Sequence, residues 1–286
     1  MWRMKVRYSQ SSMKTTASMI ELSVVVITYN EEDNIERCLK SVVSIADEIL
    51  IVDSFSTDQT VAIVESLGAK VIQNPFKGFI EQRSFAVQQA KYDHILALDA
   101  DEVVSPVLLE SLKSAKQDWT YDCYYNNRLN RFGNHWIRHG AWYPDRKMRF
   151  FDRRKVNFAG AEPHDEIVPA EGATKGSLKG DLQHIMHGNI FERIQKINEF
   201  STVAARSLHK QGKKGSYFRL FYKPLARFWG DYLFKWGVLD GFYGFFLAMA
   251  SAHYAFYREA KLMELQRFKV KDSKKKAKRV DERILK

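Results

Sequence analysis

The chain has 286 residues, of which 45% are hydrophobic and 28% charged, with a formal net charge of +11. This balance excludes a disordered chain and suits one large domain, or one domain with a substantial appendage. The two cysteines, Cys38 and Cys123, stand alone in apolar or aromatic surroundings; they exclude a disulfide framework and a zinc spacing, read as core residues and suit a reducing compartment.

Residues 1–20 are basic and Ser/Thr-rich and lack a continuous apolar stretch of signal-peptide length, so they read as a flexible leader on a cytoplasmic protein. The β-branched run LSVVVIT, residues 22–28, predicts a strand. After YNEEDN comes a helix with Ile35, Leu39 and Val42 on one face, for which Asp33 and Glu36 have capping-box spacing. EILIVD predicts a second strand ending at Asp53, and SFSTDQT opens the next helix with Ser and Thr as available caps. A third strand is expected around Lys70 to Ile72, then a turn over Pro75–Gly78, a helix over Ile80 to Ala90, and a fourth strand from Ile95 to Leu98.

This alternation predicts an α/β fold with a mostly parallel, Rossmann-like central sheet flanked by helices. Ligands of such sheets collect beyond the carboxyl ends of the strands, where Thr28 to Glu31, Asp53 and the Asp99/Asp101 pair all fall. No glycine-rich phosphate loop follows the first strand, which argues against dinucleotide and P-loop binding.

The stretch ILALDADEVV, residues 95–104, gathers Asp99, Asp101 and Glu102 at a strand end. Grouped carboxylates repel unless they share a cation. A divalent metal, Mg²⁺ or Mn²⁺, holding a nucleoside diphosphate through hard oxygen ligands fits that need. The same stretch satisfies the opening motif of a haloacid-dehalogenase-type phosphatase, with Asp99 as nucleophile. That motif normally sits on the first strand, however, and here three strand-like segments precede it.

Beyond about residue 118 the pattern turns aromatic and basic, with strands expected at Tyr121–Tyr125 and Met148–Phe150 and loops at Gly133, Gly140 and Pro144. Helical periodicity returns from Asn189.

Together, VVVITYNEEDNIERCL, ILIVDSFSTDQT and LALDADE resemble the inverting family 2 glycosyltransferases of the GT-A fold, over about residues 22–200. The resemblance implies that Thr28, Asn30 or Glu31, and Asp53 border the nucleotide, and that Asp101 with Asp99 handles metal and diphosphate. Many members carry Asp-Asp-Gly-Ser where this chain has Asp53-Ser54-Phe55-Ser56. In AEPHDEIV the resemblance puts Asp165 at the position of the base, with Glu166 in reserve and His164 as an orienting neighbour; an inverting transfer needs such a carboxylate to deprotonate the acceptor hydroxyl. His184 matches a family histidine that completes the metal shell, with His187 its competitor. Gln82 and Arg83 match donor-side positions. For such a transfer Trp142 and Tyr143 are candidates to stack on a sugar ring at the acceptor, and Arg146 and Arg149 to meet the diphosphate or an acceptor phosphate, the alternative being an amphipathic strand with exposed arginines.

GAWYPDRKMRFFDRR, PHDE, LQHIMHGN and YLFKWGVLDGFYGF resemble, more narrowly, the branch that adds glucose to a heptose of the bacterial lipopolysaccharide core. That resemblance implies a UDP-sugar donor and a lipid-anchored core oligosaccharide acceptor; other lipid-linked or surface glycans are the alternative acceptors.

The basic charge is concentrated late. Residues 205–236 carry a net +7 and residues 269–286 a net +6, leaving the rest near −2. Nucleic-acid binding would call for basic residues at the polar sheet edge as well, and a non-catalytic binding module leaves the strand-end clusters unexplained. The uncharged run Gly241–Tyr257 is 17 residues, short of the roughly 20 a spanning helix needs. Helices lying on an anionic inner-membrane surface are expected, the alternative being an ordinary helical pair over the sheet. The expected divisions are the leader 1–20, a catalytic domain 21–190, a helical region 191–268 and a basic tail 269–286.

Overall fold

The computed structural model describes residues 19–161, 164–186 and 188–267, with side chains for all of these but 161, 164 and 165. Four parallel strands, β1 (Leu22–Thr28), β2 (Glu48–Asp53), β3 (Lys70–Gln73) and β4 (His94–Asp99), alternate with α1 (Ile35–Lys40), α2 (Thr60–Ser66) and α3 (Phe79–Gln89). Their spatial order is β3-β2-β1-β4. Register places Thr28 beside Asp53 and Ile27 beside Asp99, so the polar strand ends do converge.

These strands are apolar throughout because both faces are covered. Val24, Val26, Ile51, Leu96 and Leu98 pack with Ile35 and Leu39 of α1 on one side, whereas Val25, Leu50, Val52, Ile95 and Ala97 pack with Ala86 and Val87 of α3 on the other. Each fully buried aliphatic side chain contributes about 1.5–3 kcal/mol. Cys38 and Cys123 are buried in these two cores, as expected.

The expected helix caps are not used. Neither α1 nor α2 has a side-chain N-cap. Glu36 instead pairs with Lys40 one turn on, at 2.6 Å. Asp58 accepts from both the backbone N–H and the hydroxyl of Thr60, so local turn bonds satisfy the loop before the helix begins.

After β4 the sheet becomes mixed. β5 (Glu102–Val104), α4 (Pro106–Gln117), β6 (Cys123–Phe132), β7 (His135–Trp136), β8 (Asp145–Asp152), β9 (Val156–Ala161), β10 (His164–Pro169) and β11 (Lys175–Ile185) follow. The sheet continues from β4 through β8, β6 and β11 to β5, with β8 antiparallel to β4 and β11 antiparallel to β5. β9 and β10 form a separate antiparallel hairpin. Helix α4 starts on Ser105, whose hydroxyl accepts from Leu108 N–H at 3.3 Å, with proline in its first turn.

The chain divides into two compact units: one runs to Arg128 and resumes over Arg146–His184, the other joins Leu129–Asp145 to the residues from Ile185 onward. Residues 129–145, expected within the catalytic domain, thus cluster with the C-terminal helices. The second unit contains α5 (Ile190–Lys210), α6 (Tyr217–Trp229), a π turn (Gly230–Phe234), a 3₁₀ turn (Gly237–Asp240) and α7 (Gly241–Arg267). Buried Asp240 accepts from the backbone N–H groups of Arg138 and His139, which ties the 129–145 segment to the helices. Buried Glu259 of α7 holds Arg219 of α6 at 3.0 Å. No helix among the described residues is long and apolar enough to cross a membrane. Residues 1–18 of the expected leader, His187, and residues 268–286, which hold the whole expected tail, lie outside the described residues.

Candidate active site

The loop after β1 is knitted to the loop after β2. Asn30 takes a left-handed backbone (φ 54°), which asparagine tolerates, and its side-chain carbonyl accepts from Thr57 N–H at 2.8 Å. Asn30 N–H donates to the Ser56 hydroxyl, and Ser56 N–H donates to Asp53 at 2.8 Å. Glu31 N–H donates to the Thr60 hydroxyl. Asp53 is fully buried and directed into this loop network, and Ser54 beside it faces the cavity instead.

That cavity, about 690 Å³, is of the size that holds drug-sized ligands. Thr28, Tyr29, Glu31, Ser54, Gln82, Asp99, Asp101 and His184 supply its polar lining, and Phe76 and Phe79 its aromatic rim. The rings of Phe76 and Phe79 meet edge to face, 5.1 Å apart, and both are exposed. The hydroxyl of Thr28 is buried without a hydrogen-bond partner among the described residues. Gln82, on the buried face of α3, donates to Ser54 and to the carbonyl of Asn74.

The three carboxylates of the Asp-Ala-Asp-Glu stretch are separated by function. Asp99 is held by Arg83 at 2.7 Å through one oxygen and by Arg149 at 2.6 Å through the other. Burial alone would raise its carboxyl, yet the two guanidinium groups keep it far below the ordinary carboxylate range. Glu102 is fully buried and accepts Arg149 in a two-pronged pair, Nε at 3.0 Å and Nη2 at 2.8 Å. Arginines therefore supply the cation these two need. Beneath them, burial and then the carboxylates of Glu102, Asp101 and Asp99 push the Cys38 thiol well above its usual range.

Asp101 is disposed differently. β11 lies antiparallel to β5, pairing His184 with Glu102, and this sets His184 Nε2 3.0 Å from Asp101. Both face the cavity. Among the described residues no group of three or more His, Cys, Asp or Glu side chains is gathered around a metal position. A carboxylate and an imidazole, with substrate oxygens and water completing the shell, would nonetheless fit Mg²⁺ or Mn²⁺. Asp99, expected as a second ligand, has both oxygens engaged by arginines and fits a positioning role.

A second cavity, about 430 Å³, shares Asp99 and Phe79 with the first. Arg83, Tyr125, Arg128, Arg146, Lys147, Arg149 and Glu166 line it. Of the expected base pair, Glu166 is thus placed at a cavity, whereas the side chain of Asp165, like that of His164, lies outside the described ones. Arg146 faces this cavity, stacked over Tyr125 and bonded to Ser177. Trp142 and Tyr143, expected beside Arg146 at the acceptor, fall in the other unit. There the Trp142 ring sits edge-on to Phe132 and under Arg193. Sequence reasoning missed Phe76, Phe79, Tyr125, Arg128 and Lys147, which carry no motif; the Pro75–Gly78 turn was the available signal for the first two.

Residues 23–170 match the family model for glycosyl transferase family 2. The chain belongs to that family. An uncharacterised glycosyltransferase of Rickettsia bellii is 35% identical over 86% of this chain and 87% of its own. The lipopolysaccharide core biosynthesis glycosyltransferase LpsC of Rhizobium meliloti is 30% identical over 88% of this chain and 95% of its own. Among solved structures, glucosyl-3-phosphoglycerate synthase of Mycobacterium tuberculosis in complex with Mn²⁺ and UDP-glucose aligns over 69% of this chain and 81% of its own, at 17% identity and a TM-score of 0.43. The protein is a family 2 glycosyltransferase with a GT-A-like α/β fold, a mixed sheet flanked by helices. The phosphatase reading falls with this, since Asp99, its would-be nucleophile, is clamped by two arginines.

Proposed function

We propose that this glycosyltransferase transfers glucose from UDP-glucose, with inversion, to a heptose of a lipid-anchored lipopolysaccharide core. The observation that carries this reading is the meeting of two cavities at Asp99, one lined by Asp101 and His184, the other by Glu166. Likeness to LpsC over nearly its full length supports the core acceptor. In the first cavity Tyr29, Phe76 and Phe79 offer aromatic faces to the base, and the unpartnered Thr28 hydroxyl offers a hydrogen bond. Asp101 and His184 would hold a divalent metal, which when bound neutralises charge on the departing diphosphate. An acceptor hydroxyl in the second cavity attacks the anomeric carbon from the face opposite UDP. Its proton passes to a carboxylate of the Asp165–Glu166 pair as the bond from the anomeric carbon to phosphate oxygen breaks.

Transfer from UDP-glucose to a truncated core lipopolysaccharide is the test, with Asp165→Asn and Glu166→Gln beside the parent. The variant lacking the base is expected to lose roughly 10²–10⁴-fold in kcat at unchanged donor KM, and its neighbour far less. Full activity in both would sink the assignment of the base, and transfer only to other glycans would sink the acceptor.

The same reading puts the enzyme on the cytoplasmic face of the inner membrane. On α6, Phe218, Phe221, Tyr222, Leu225 and Trp229 are all exposed, at spacings that share one helical face. Phe234, Trp236 and Leu239, in and between the two turns that follow, are exposed as well. The surrounding stretch, residues 205–236, is strongly basic, as an anionic bilayer surface requires. Replacing Phe218, Phe221 and Trp229 together by serine is expected to cut sedimentation with phosphatidylglycerol-containing vesicles about tenfold or more, leaving the thermal transition in place. Unchanged sedimentation would mean that this face does not meet lipid.

A further inference from the structure

Among the described residues, Phe79 and Asp99 are the two that line both cavities. With the leaving diphosphate beside Asp101 and His184 and the acceptor beside Glu166, the sugar that changes hands crosses this junction. Phe79 opens α3, and Gln82 and Arg83 follow it by three and four residues, so the three share one face of the helix. Gln82 lines the first cavity and Arg83 the second, and Phe79, one turn ahead of them, borders both. Gly78 just before it has φ 150°, a backbone open to glycine that carries the chain from the loop after β3 into the helix.

Phe79 is 39% exposed and belongs to neither core of this unit, and its ring is steadied edge to face by Phe76. An aromatic ring held against solvent in a largely polar cleft gains by being covered. A hexose supplies such a cover, because its C–H groups form an apolar face while its hydroxyls project at the edge. We propose that Phe79 is the platform for the transferred sugar: its ring covers one C–H face of the hexose, keeps the anomeric carbon turned to the second cavity, and shields it from water. The inference rests on the glycosyltransfer reading and adds to it the residue that receives the sugar portion of the donor. A ring that served the nucleotide base alone, with Tyr29 and Phe76, would account for its place in the first cavity and not for its place in the second. Water is the competitor that the cover excludes. Its oxygen would bond to the anomeric carbon as the bond from that carbon to the phosphate oxygen breaks. UDP would leave with the electron pair, and a proton of the water would pass to the Asp165–Glu166 pair.

The test titrates UDP and UDP-glucose, each with Mn²⁺, into the parent, Phe79→Ala and Phe79→Tyr by calorimetry, and measures glucose release to water beside transfer. Phe79→Ala is expected to weaken UDP-glucose about tenfold more than it weakens UDP, and Phe79→Tyr to restore most of that difference. Release to water relative to transfer should rise about tenfold in Phe79→Ala and stay near the parent's in Phe79→Tyr. Equal losses for UDP and UDP-glucose would give the ring to the base and overturn the proposal. So would a tyrosine variant no better than alanine, since the ring would then serve only the fold of its loop. The binding measurement needs no acceptor. If no saccharide is glucosylated, the transfer reading fails, while a loss selective for UDP-glucose still upholds the platform and an equal loss still overturns it. A parent that binds neither ligand overturns both.

Discussion

Methionine in place of Arg149 is expected to destabilise the first unit by about 3–5 kcal/mol, the usual result of stranding one partner of a buried ion pair. Glu102 has no exposed surface, and Arg149 provides both its two-pronged bond and the nearer of two contacts to Asp99. Methionine approximates the volume, so the loss would be electrostatic and not a cavity effect. Denaturant titration by tryptophan fluorescence measures it as a lower midpoint. Adding Glu102→Gln in the same chain should recover much of the difference, because the stranded charge is then gone. Lysine at 149 should fall between, keeping the charge but not the fork geometry. A midpoint that stays put in Arg149→Met would show that water or other groups already neutralise Glu102.

Much of the first half of the fold was readable because local pattern and burial coincide there. The short apolar runs ending at Thr28, Asp53 and Asp99 are buried on both faces, and such runs bounded by turn signals read as strands. Their parallel order followed from the intervening helices, and the convergence of their polar ends followed from the order. Helix caps were less readable. Asp33, Glu36 and the Ser/Thr cluster before Thr60 have cap spacing, but long-range bonds such as Glu31 N–H to Thr60 compete for the same groups. The antiparallel half was least readable, since β8 and β11 acquire their meaning from partners some 50 to 80 residues away.

The electrostatic puzzle of the carboxylate cluster shows where such reading stops. Like charges at Asp99, Asp101 and Glu102 do imply a positive counterpart, and a metal is the simplest one visible in sequence. The main counterparts of Asp99 and Glu102 are arginines delivered by α3 and β8. Nothing in the spacing of Arg83 or Arg149 announces this, because each reaches the cluster only through tertiary packing. The consequence is a difference in partners: Asp99 and Glu102 are fixed by arginines, Asp99 at the border of both cavities, and Asp101 faces the first cavity with His184.

Asparagine at position 101 should accordingly lower kcat about 10²–10³-fold or more while leaving the fold intact. Asp101 and His184 are only partly buried, and their mutual contact at 3.0 Å is not part of the Arg83–Asp99–Arg149–Glu102 chain. Its loss therefore removes a charge from the donor cavity without stranding one in the core. A readout independent of turnover separates a metal role from a structural one: Mn²⁺ titrated into the UDP-bound protein, followed by electron paramagnetic resonance. Asp101→Asn should weaken that binding strongly and His184→Gln by about 10–100-fold. Asp99→Asn should retain most of the metal affinity and instead lose stability, since it leaves the buried guanidiniums of Arg83 and Arg149 with less opposing charge. If Asp99→Asn abolishes Mn²⁺ binding and Asp101→Asn spares it, the arginines must release Asp99 when donor binds, and the framework assigned to them is in truth the moving part of the site.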